Sequence, residues 1–203
     1  VTNPPIDPFR EKVVMSLQCP IGPEANILKP NPKQVHRLWL KQPVISIADL
    51  DVLKQTTHRN WSAHVIDTTF PVAEGVPGFL KKLQAICEEA EKASSSNEII
   101  ILSDRKAGAE LAPISSLLSL GAVHHHLIEV RARMKVALVV ESGEAREVHH
   151  ICVLLGYGAD AICPYLALEL ASSLRDQGIL DTSLTDEVIF QNYSQAMVTG
   201  INK

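Results

Sequence analysis

The stretch MKVALVVESGEAREVHHICVLLGYGADAICPYLALE, from Met134 to Glu169, decides the fold. Its apolar run from Val136 to Val140 is rich in β-branched residues, which is typical of a strand buried on both faces of a parallel sheet. A second apolar run follows from Ala159 to Cys163, and apolar residues recur at helical spacing between the two runs. Pro164 then favours the start of another helix. The stretch therefore predicts strand, helix, strand and helix.

The helix between these strands carries its own start and stop signals. Ser142 is a residue type that caps helices, and Glu144 and Glu147 place carboxylates where the positive end of the helix dipole would lie. Gly156 and Gly158 favour its end. We therefore expect Ser142 to cap a helix that begins close behind the first strand.

The same alternation continues through the rest of the chain. Strands are expected to begin near residues 62, 99, 136 and 159. Helices are expected over Gly75 to Ala93, Ala112 to Val130, Ile47 to Leu53 with Ser46 as its cap, and from Thr185 onward. Regular alternation of strand and helix is typical of an α/β fold with a mostly parallel sheet. These units are too few for a complete eight-stranded barrel.

The first fifth of the chain has a different composition. It contains eight of the 12 prolines, which exclude long helices there. We therefore predict an extended proline-rich arm over residues 1–45 and an α/β domain over residues 46–203, and we expect the apolar residues of the arm to lie against another surface. Because the chain begins at Val1 and not at a methionine, we also expect it to be part of a longer polypeptide.

Composition excludes several classes of partner. Of 203 residues, 46% are hydrophobic and 21% charged, with a formal net charge of −4. The 19 basic residues are scattered and are outnumbered by 23 acidic ones, so neither nucleic acid nor a membrane is an expected partner. The sequence shows neither a signal peptide nor an apolar run of the roughly 20 residues that span a bilayer. We therefore expect a protein of the cytoplasm or of an organelle stroma, and not a secreted one.

The cysteines and histidines do not predict a metal site. Cys19, Cys87, Cys152 and Cys163 contain no CxxC pair, and we expect buried, reduced thiols. Five histidines lie in two runs, at residues 124–126 and 149–150. Consecutive residues of a helix point about 100° apart, so neither run can present its members on one ligand face.

Polar residues that follow the strands form a candidate site. Asp104 and Arg105 come directly after the second strand, and Glu141 follows the third. Parallel strands deliver such residues to one edge, where α/β proteins usually bind their ligands. One hypothesis is therefore a free-standing metabolite-binding or enzyme domain that uses this edge. The alternative is that short polar residues cap helices and the acids pair with arginines.

A family resemblance covers nearly the whole chain. Its segments, in order, are VTNPPIDP from Val1, SLQCPIGPEANIL from Ser16, DTTFPVAEG from Asp67, IIILSDR from Ile99, GAVHHHLI from Gly121, ESGEAREVHH from Glu141 and LLGYGADAICPYLALE from Leu154. Together they resemble the central domain of the large subunit of glutamate synthase. That family makes L-glutamate from L-glutamine and 2-oxoglutarate.

The resemblance implies a fold and a role. The fold would be an incomplete relative of the TIM-type barrel that binds flavin in this family. The chain would be a non-catalytic domain that spaces an N-terminal glutaminase domain from a C-terminal FMN-binding domain. FMN and an iron-sulfur cluster would be bound by other parts of the parent enzyme. This chain would bind neither of them and would be inactive by itself. The electron donor, ferredoxin or a nicotinamide cofactor, would be determined elsewhere.

The resemblance also implies a position for the arm. In this family the corresponding segment runs near the path by which ammonia passes between the active sites. Asn3 and Asn31 are the residues of this chain that would line that tunnel. The family usually reads Pro-Thr-Pro where this chain has Pro30-Asn31-Pro32.

Overall fold

A computed structural model describes residues 13–203 of the chain. Asn3 and the rest of residues 1–12 lie outside the described part. In chain order the elements are β1 (Cys19–Ile21), β2 (Leu38–Leu40), α1 (Ile47–Lys54), β3 (Ala63–Asp67), β4 (Thr69–Pro71), α2 (Gly75–Ala93), β5 (Ile99–Ser103), β6 (Leu111–Pro113), α3 (Ser116–Glu129), β7 (Ala137–Glu141), α4 (Val148–Gly156), β8 (Ala161–Cys163), α5 (Tyr165–Asp176) and α6 (Asp186–Ile201). Among residues 13–203, no helix has the length and apolar character that crossing a bilayer requires.

The main sheet has four parallel strands in the order β3-β5-β7-β8. Each new strand is added beside the previous one, which is how a βα barrel winds, and no strand crosses to the other side of the first. The register places Asp67, Ser103, Glu141 and Cys163 in one row at the carboxyl ends of the strands. The predicted α/β fold, an incomplete relative of the TIM-type barrel, is confirmed.

Alternation along the strands gives the sheet two apolar faces. On the outer face Ile100, Leu138 and Val140 belong to a core completed by residues of α2, α3, α4 and α6. On the inner face Ile101 and Val139 pack against Ile21 and Ile45, which precede α1, and against residues of α1. Successive side chains of a strand point to opposite faces, so a strand buried on both sides is apolar throughout, as the sequence of β5 and β7 shows.

The segment before α1 joins this sheet. Strands β1 and β2 pair antiparallel, and Ile21 is fully buried on the inner face. Val44 forms a parallel bridge with Ile162, and the Ile45 N–H donates to the Ile162 carbonyl oxygen at 2.9 Å. One edge of the sheet is therefore covered by the chain itself. The division into an arm over residues 1–45 and a domain over residues 46–203 stays a prediction.

Several predicted elements are confirmed and one helix is corrected. The helix over Gly75 to Ala93 has the predicted bounds, and Ser46 caps α1 by accepting from the Asp49 N–H at 3.0 Å. The predicted helix over Ala112 to Val130 begins only at Ser116. The reason is that residues 111–113 form β6, which pairs antiparallel with β4.

Candidate functional site

The candidate site at the carboxyl ends of the strands is centred on Glu141, the last residue of β7. Its side chain is only 1% exposed. It accepts hydrogen bonds from Ser103 Oγ at 2.7 Å, Lys54 Nζ at 3.0 Å and Arg105 Nε at 2.9 Å. A buried carboxylate is stable only when it is paired and hydrogen-bonded, and Glu141 meets both conditions through three different elements.

Arg105 extends this cluster to α5. Its Nη1 donates to Glu169 Oε1 at 2.7 Å, while its guanidinium carbon lies 4.4 Å from the centre of the Tyr165 ring. This distance is within the range of a cation–π contact. The guanidinium of Arg105 therefore binds two carboxylates and an aromatic face of the same chain. The structure thus brings the predicted residues Arg105 and Glu141 into direct contact.

Asp104 lies beside this cluster and has a different environment. Its side chain is buried, and both carboxylate oxygens accept from the Gly143 N–H, at 3.0 and 2.9 Å. Burial raises the pKa of Asp104, and hydrogen bonds from Gly143 and Tyr165 only partly oppose this shift. The Ser116 hydroxyl donates to Asp104 Oδ2 at 3.4 Å. Asp104 therefore ties the loop after β7 and the start of α3 to the end of β5.

The predicted capping role of Ser142 is wrong. Helix α4 begins at Val148, and Ser142 Oγ instead accepts from the N–H groups of Glu144 and Ala145 within the preceding loop. This loop places the Glu144 side chain at the start of a different helix, α3. Glu144 Oε2 accepts from the Ser116 N–H at 2.7 Å and thereby caps α3 from outside.

A cavity of about 480 Å³ lies between the amino-terminal ends of α3 and α4. Arg146, His149 and His150 line it, together with Glu144 and apolar residues that include Val153. The basic residues thus share the cavity with the Glu144 carboxylate, and this carboxylate already accepts a hydrogen bond from the first N–H of α3. The lining of this cavity therefore carries charges of both signs and does not favour one class of ligand.

The histidine runs are used for separate contacts. His124 Nδ1 accepts from Arg133 Nε at 3.1 Å, whereas His126 Nε2 lies 2.8 Å from Glu91 Oε2. Burial and the charge of Arg133 lower the pKa of His124. Within residues 13–203, no group of three histidine, cysteine, aspartate or glutamate side chains is placed to hold a metal ion.

The cysteines differ from the prediction at one position. Cys87 and Cys163 are buried, and Cys19 is partly buried, whereas Cys152 is exposed. Helix α4 buries Ile151 and Leu154, and Cys152 points about 100° away from Ile151, toward the exposed side of the helix. Burial raises the pKa of the Cys163 thiol to about 12, so this thiol stays protonated at neutral pH.

Comparison with known proteins identifies the family. The family model described as glutamate synthase central domain matches residues 1–203. This chain belongs to the glutamate synthase central domain family. It is 46% identical over 206 residues to a protein of Schizosaccharomyces pombe named glutamate synthase [NADH]. It is 42% identical to the glutamate synthase [NADPH] large chain of Bacillus subtilis and 40% identical to the ferredoxin-dependent glutamate synthase of Pyropia yezoensis.

The matches cover all of this chain but little of each relative. The central domain spans 10% of the Schizosaccharomyces pombe protein, 13% of the Bacillus subtilis one and 14% of the Pyropia yezoensis one. These three relatives have different electron donors in their names.

The central domain also contains site residues that the sequence did not reveal. Lys54 lies at the end of α1 and is 87 residues distant from Glu141, yet their side chains form an ion pair. Glu169 is a similar case, because only the path of α5 brings it to Arg105. A lysine in the last turn of a helix normally suits the helix dipole, so the position of Lys54 did not indicate a second role.

The predicted tunnel residue Asn31 lies in an exposed turn of the central domain. Its N–H donates to Gln34 Oε1 at 2.8 Å, and its carbonyl oxygen accepts from the Gln34 N–H at 3.1 Å. Nearby, the N–H groups of Glu24 and Ala25 donate to the Met134 carbonyl oxygen. Gln34 Nε2 also donates to the Asn26 carbonyl oxygen at 2.7 Å, so the segment at Asn31 is tied to the residues that are anchored on Met134.

Proposed function

We propose that this chain is the non-catalytic central domain of an enzyme that forms L-glutamate from L-glutamine and 2-oxoglutarate. In this role it separates an N-terminal glutaminase domain from a C-terminal FMN-binding domain of the same polypeptide. FMN and the iron-sulfur cluster of the parent enzyme then lie outside this chain. Membership of the family and relatives named glutamate synthase support this proposal.

The state of the strand-edge residues is the observation that carries the non-catalytic role. α/β enzymes usually bind substrate at the carboxyl ends of their strands. At that edge Glu141 is held by Lys54 and Arg105, and Arg105 is also held by Glu169. A substrate would have to displace these contacts before it could bind. The polar groups of this edge instead connect β5, β7, α1 and α5, which favours a rigid spacer.

The alternative is a free-standing α/β metabolite-binding or enzyme domain that uses Asp104, Arg105 and Glu141. This hypothesis stays a prediction, and one comparison separates it from the spacer. A saturable affinity for a metabolite that is lost in Arg105→Gln would favour it. For the spacer, we expect the purified chain to show neither flavin absorbance nor release of ammonia from glutamine. Glutamate formation by the chain alone would contradict the spacer role.

The segment before α1 is proposed to help wall the ammonia passage. Ammonia must reach the second site before it escapes or is protonated, so a continuous wall is required. Asn31 and Asn3 are the proposed lining residues. The anchoring of residues 24 and 25 on Met134 supports a fixed position for the turn near Asn31.

The test uses the parent enzyme and measures the glutamine hydrolysed for each glutamate formed. We expect Asn31→Ala to raise this ratio, because a changed wall lets ammonia escape. The matched control is Asn192→Ala, since Asn192 is also an exposed asparagine but lies on α6. An unchanged ratio in Asn31→Ala, or an equal rise in both variants, would exclude Asn31 from the passage.

A further inference from the structure

A second cavity lies on the inner face, near the amino ends of the strands. Its volume is about 370 Å³. Leu53 of α1, Trp61 and Ile99, the first residue of β5, form much of its apolar wall. This is the opposite end of the strands from Glu141, so the cavity is separate from the candidate site described above.

The polar lining of this cavity is basic apart from the Thr56 hydroxyl. The basic side chains are those of His36, Arg37, His58 and Arg59, and there is no carboxylate among the described lining residues. Arg37 already pairs with Glu24 at 2.9 Å and donates to the Pro20 carbonyl oxygen at 2.8 Å. Within residues 13–203, the side chains of His36, His58 and Arg59 have no hydrogen bond or ion pair. The cavity therefore has an uncompensated guanidinium and two imidazoles that can donate hydrogen bonds.

The backbone that carries Arg59 is held in an unfavourable conformation. Arg59 has φ 56° and Asn60 has φ 64°, so two consecutive residues other than glycine are left-handed. This region is uncommon for a residue with a Cβ, and such residues are enriched at functional sites. Arg131 has a similar φ but does not line this cavity, so the case for the Arg59 loop depends on its position at the cavity.

The apolar wall is fixed by close packing around Trp61. A Cβ atom placed on Gly22 would clash with the Trp61 ring, so the glycine packs directly against one side of the indole. Gly22 has φ +120°, a conformation that also favours glycine. The indole thus presents a positioned flat surface beside the basic groups.

We propose that this cavity binds a small organic carboxylate with an apolar body. The Arg59 guanidinium binds the carboxylate, because this pair forms strong, geometrically matched hydrogen bonds. His36 and His58 add donors, and the apolar body packs on Trp61 and Leu53. The volume is near the lower end of small-molecule pockets, so it suits one small molecule and not a folded segment. The proposal is independent of the spacer role.

The experiment titrates benzoate into the ¹⁵N-labelled 203-residue chain at constant ionic strength and follows NMR chemical shifts. Benzamide serves as the uncharged probe of nearly the same shape. We expect saturable shifts at the Trp61 indole and in residues 58–60, with benzamide binding about tenfold more weakly because it lacks the charge.

Two arginine variants complete the design. Arg59→Gly removes the guanidinium while suiting the left-handed backbone, and we expect it to weaken benzoate binding about tenfold. Arg131→Gly is the matched control, because Arg131 is an exposed arginine with φ 59° that does not line the cavity. Circular dichroism verifies that both variants are folded. Equal binding of benzoate and benzamide, equal effects of the two variants, or shifts around Arg146 and His149 instead of Trp61 would each refute the proposal.

Discussion

The two ends of the inner face contain similar residue types in opposite states. At the carboxyl ends of the strands, the carboxylates of Glu141 and Glu169 pair with the cationic side chains of Lys54 and Arg105. At the amino ends, the Arg59 side chain has no partner within residues 13–203, and the cavity beside it is lined by four basic side chains and no carboxylate. Position in an α/β fold indicates where a site is expected. The comparison shows that the partners of each charge decide whether that position is still open to a ligand.

The strongest test concerns the carboxyl ends of the strands, where Glu141, Lys54, Arg105 and Glu169 form ion pairs, here called the paired end. It removes Glu141, the residue at the centre of these pairs. Glu141→Ala leaves Lys54 and Arg105 without their shared buried carboxylate, so we expect the free energy of unfolding to fall by about 3 kcal/mol. Urea unfolding measures the loss. Glu169→Ala is the control, because the side chain of Glu169 is 46% exposed and its loss should cost about 0.5 kcal/mol. Equal costs for the two variants would mean that the paired end is not a structural centre.

The next test disturbs the amino ends of the strands, where the cavity beside Arg59 and Trp61 lies. Gly22→Ala places a Cβ against the Trp61 ring and onto a backbone with φ +120°, so we expect a loss of about 2 kcal/mol. Urea unfolding and tryptophan fluorescence measure the change. At Gly108 the nearest atom to an added Cβ is 4.0 Å away, so Gly108→Ala should stay within about 0.5 kcal/mol of the parent chain. If Gly22→Ala is equally well tolerated, the indole is not tightly held.

The sequence predicted the sheet because its signal is local. Runs such as Ile99 to Leu102 and Val136 to Val140 carry the information for a buried strand within themselves, and regular spacing then gives parallel order. Helix α2 was equally clear, since its apolar residues recur over the full length of the helix.

The partners at the site could not be predicted because they depend on tertiary packing. Asp104, Arg105 and Glu141 were found from the rule about strand ends, and the structure places them together. Lys54 and Glu169 reach them only through the paths of α1 and α5. The strand β6 was missed for the same reason, since three residues gain a strand conformation by pairing with β4.

The loop after β7 offers a smaller test of the paired end. Glu144 caps α3 from a different loop, because Ser115 at the N-cap position makes no side-chain capping bond. We expect Glu144→Ala to lower the free energy of unfolding by about 1 kcal/mol. Glu147→Ala is the control. Glu147 is the N-cap residue of α4, but its side chain is 66% exposed and makes no capping hydrogen bond, so the effect should stay within about 0.5 kcal/mol. A larger effect for Glu147 would contradict the external cap.

The smallest expected effect is a difference in pH dependence between two aspartates at the same strand ends. Burial raises the pKa of Asp104. Burial opposes the shift at Asp67, but hydrogen bonds from Thr69 and the charge of Lys106 outweigh it and lower the pKa of that carboxyl. The native state therefore holds a proton on Asp104 more tightly than the unfolded chain does, and it holds one on Asp67 less tightly.

These shifts have opposite signs in stability. As pH rises from the ordinary value of 3.8 through the raised pKa of Asp104, the parent chain should lose stability relative to Asp104→Asn. The contribution of Asp67 is fully present above 3.8, so as pH falls from 3.8 through the lowered pKa of Asp67 the parent chain should lose stability relative to Asp67→Asn. Urea unfolding of the three proteins between about pH 3 and 7 measures both differences. Slopes of the same sign would show that the two carboxylates share one environment, and would contradict the conclusion that burial dominates the pKa of Asp104.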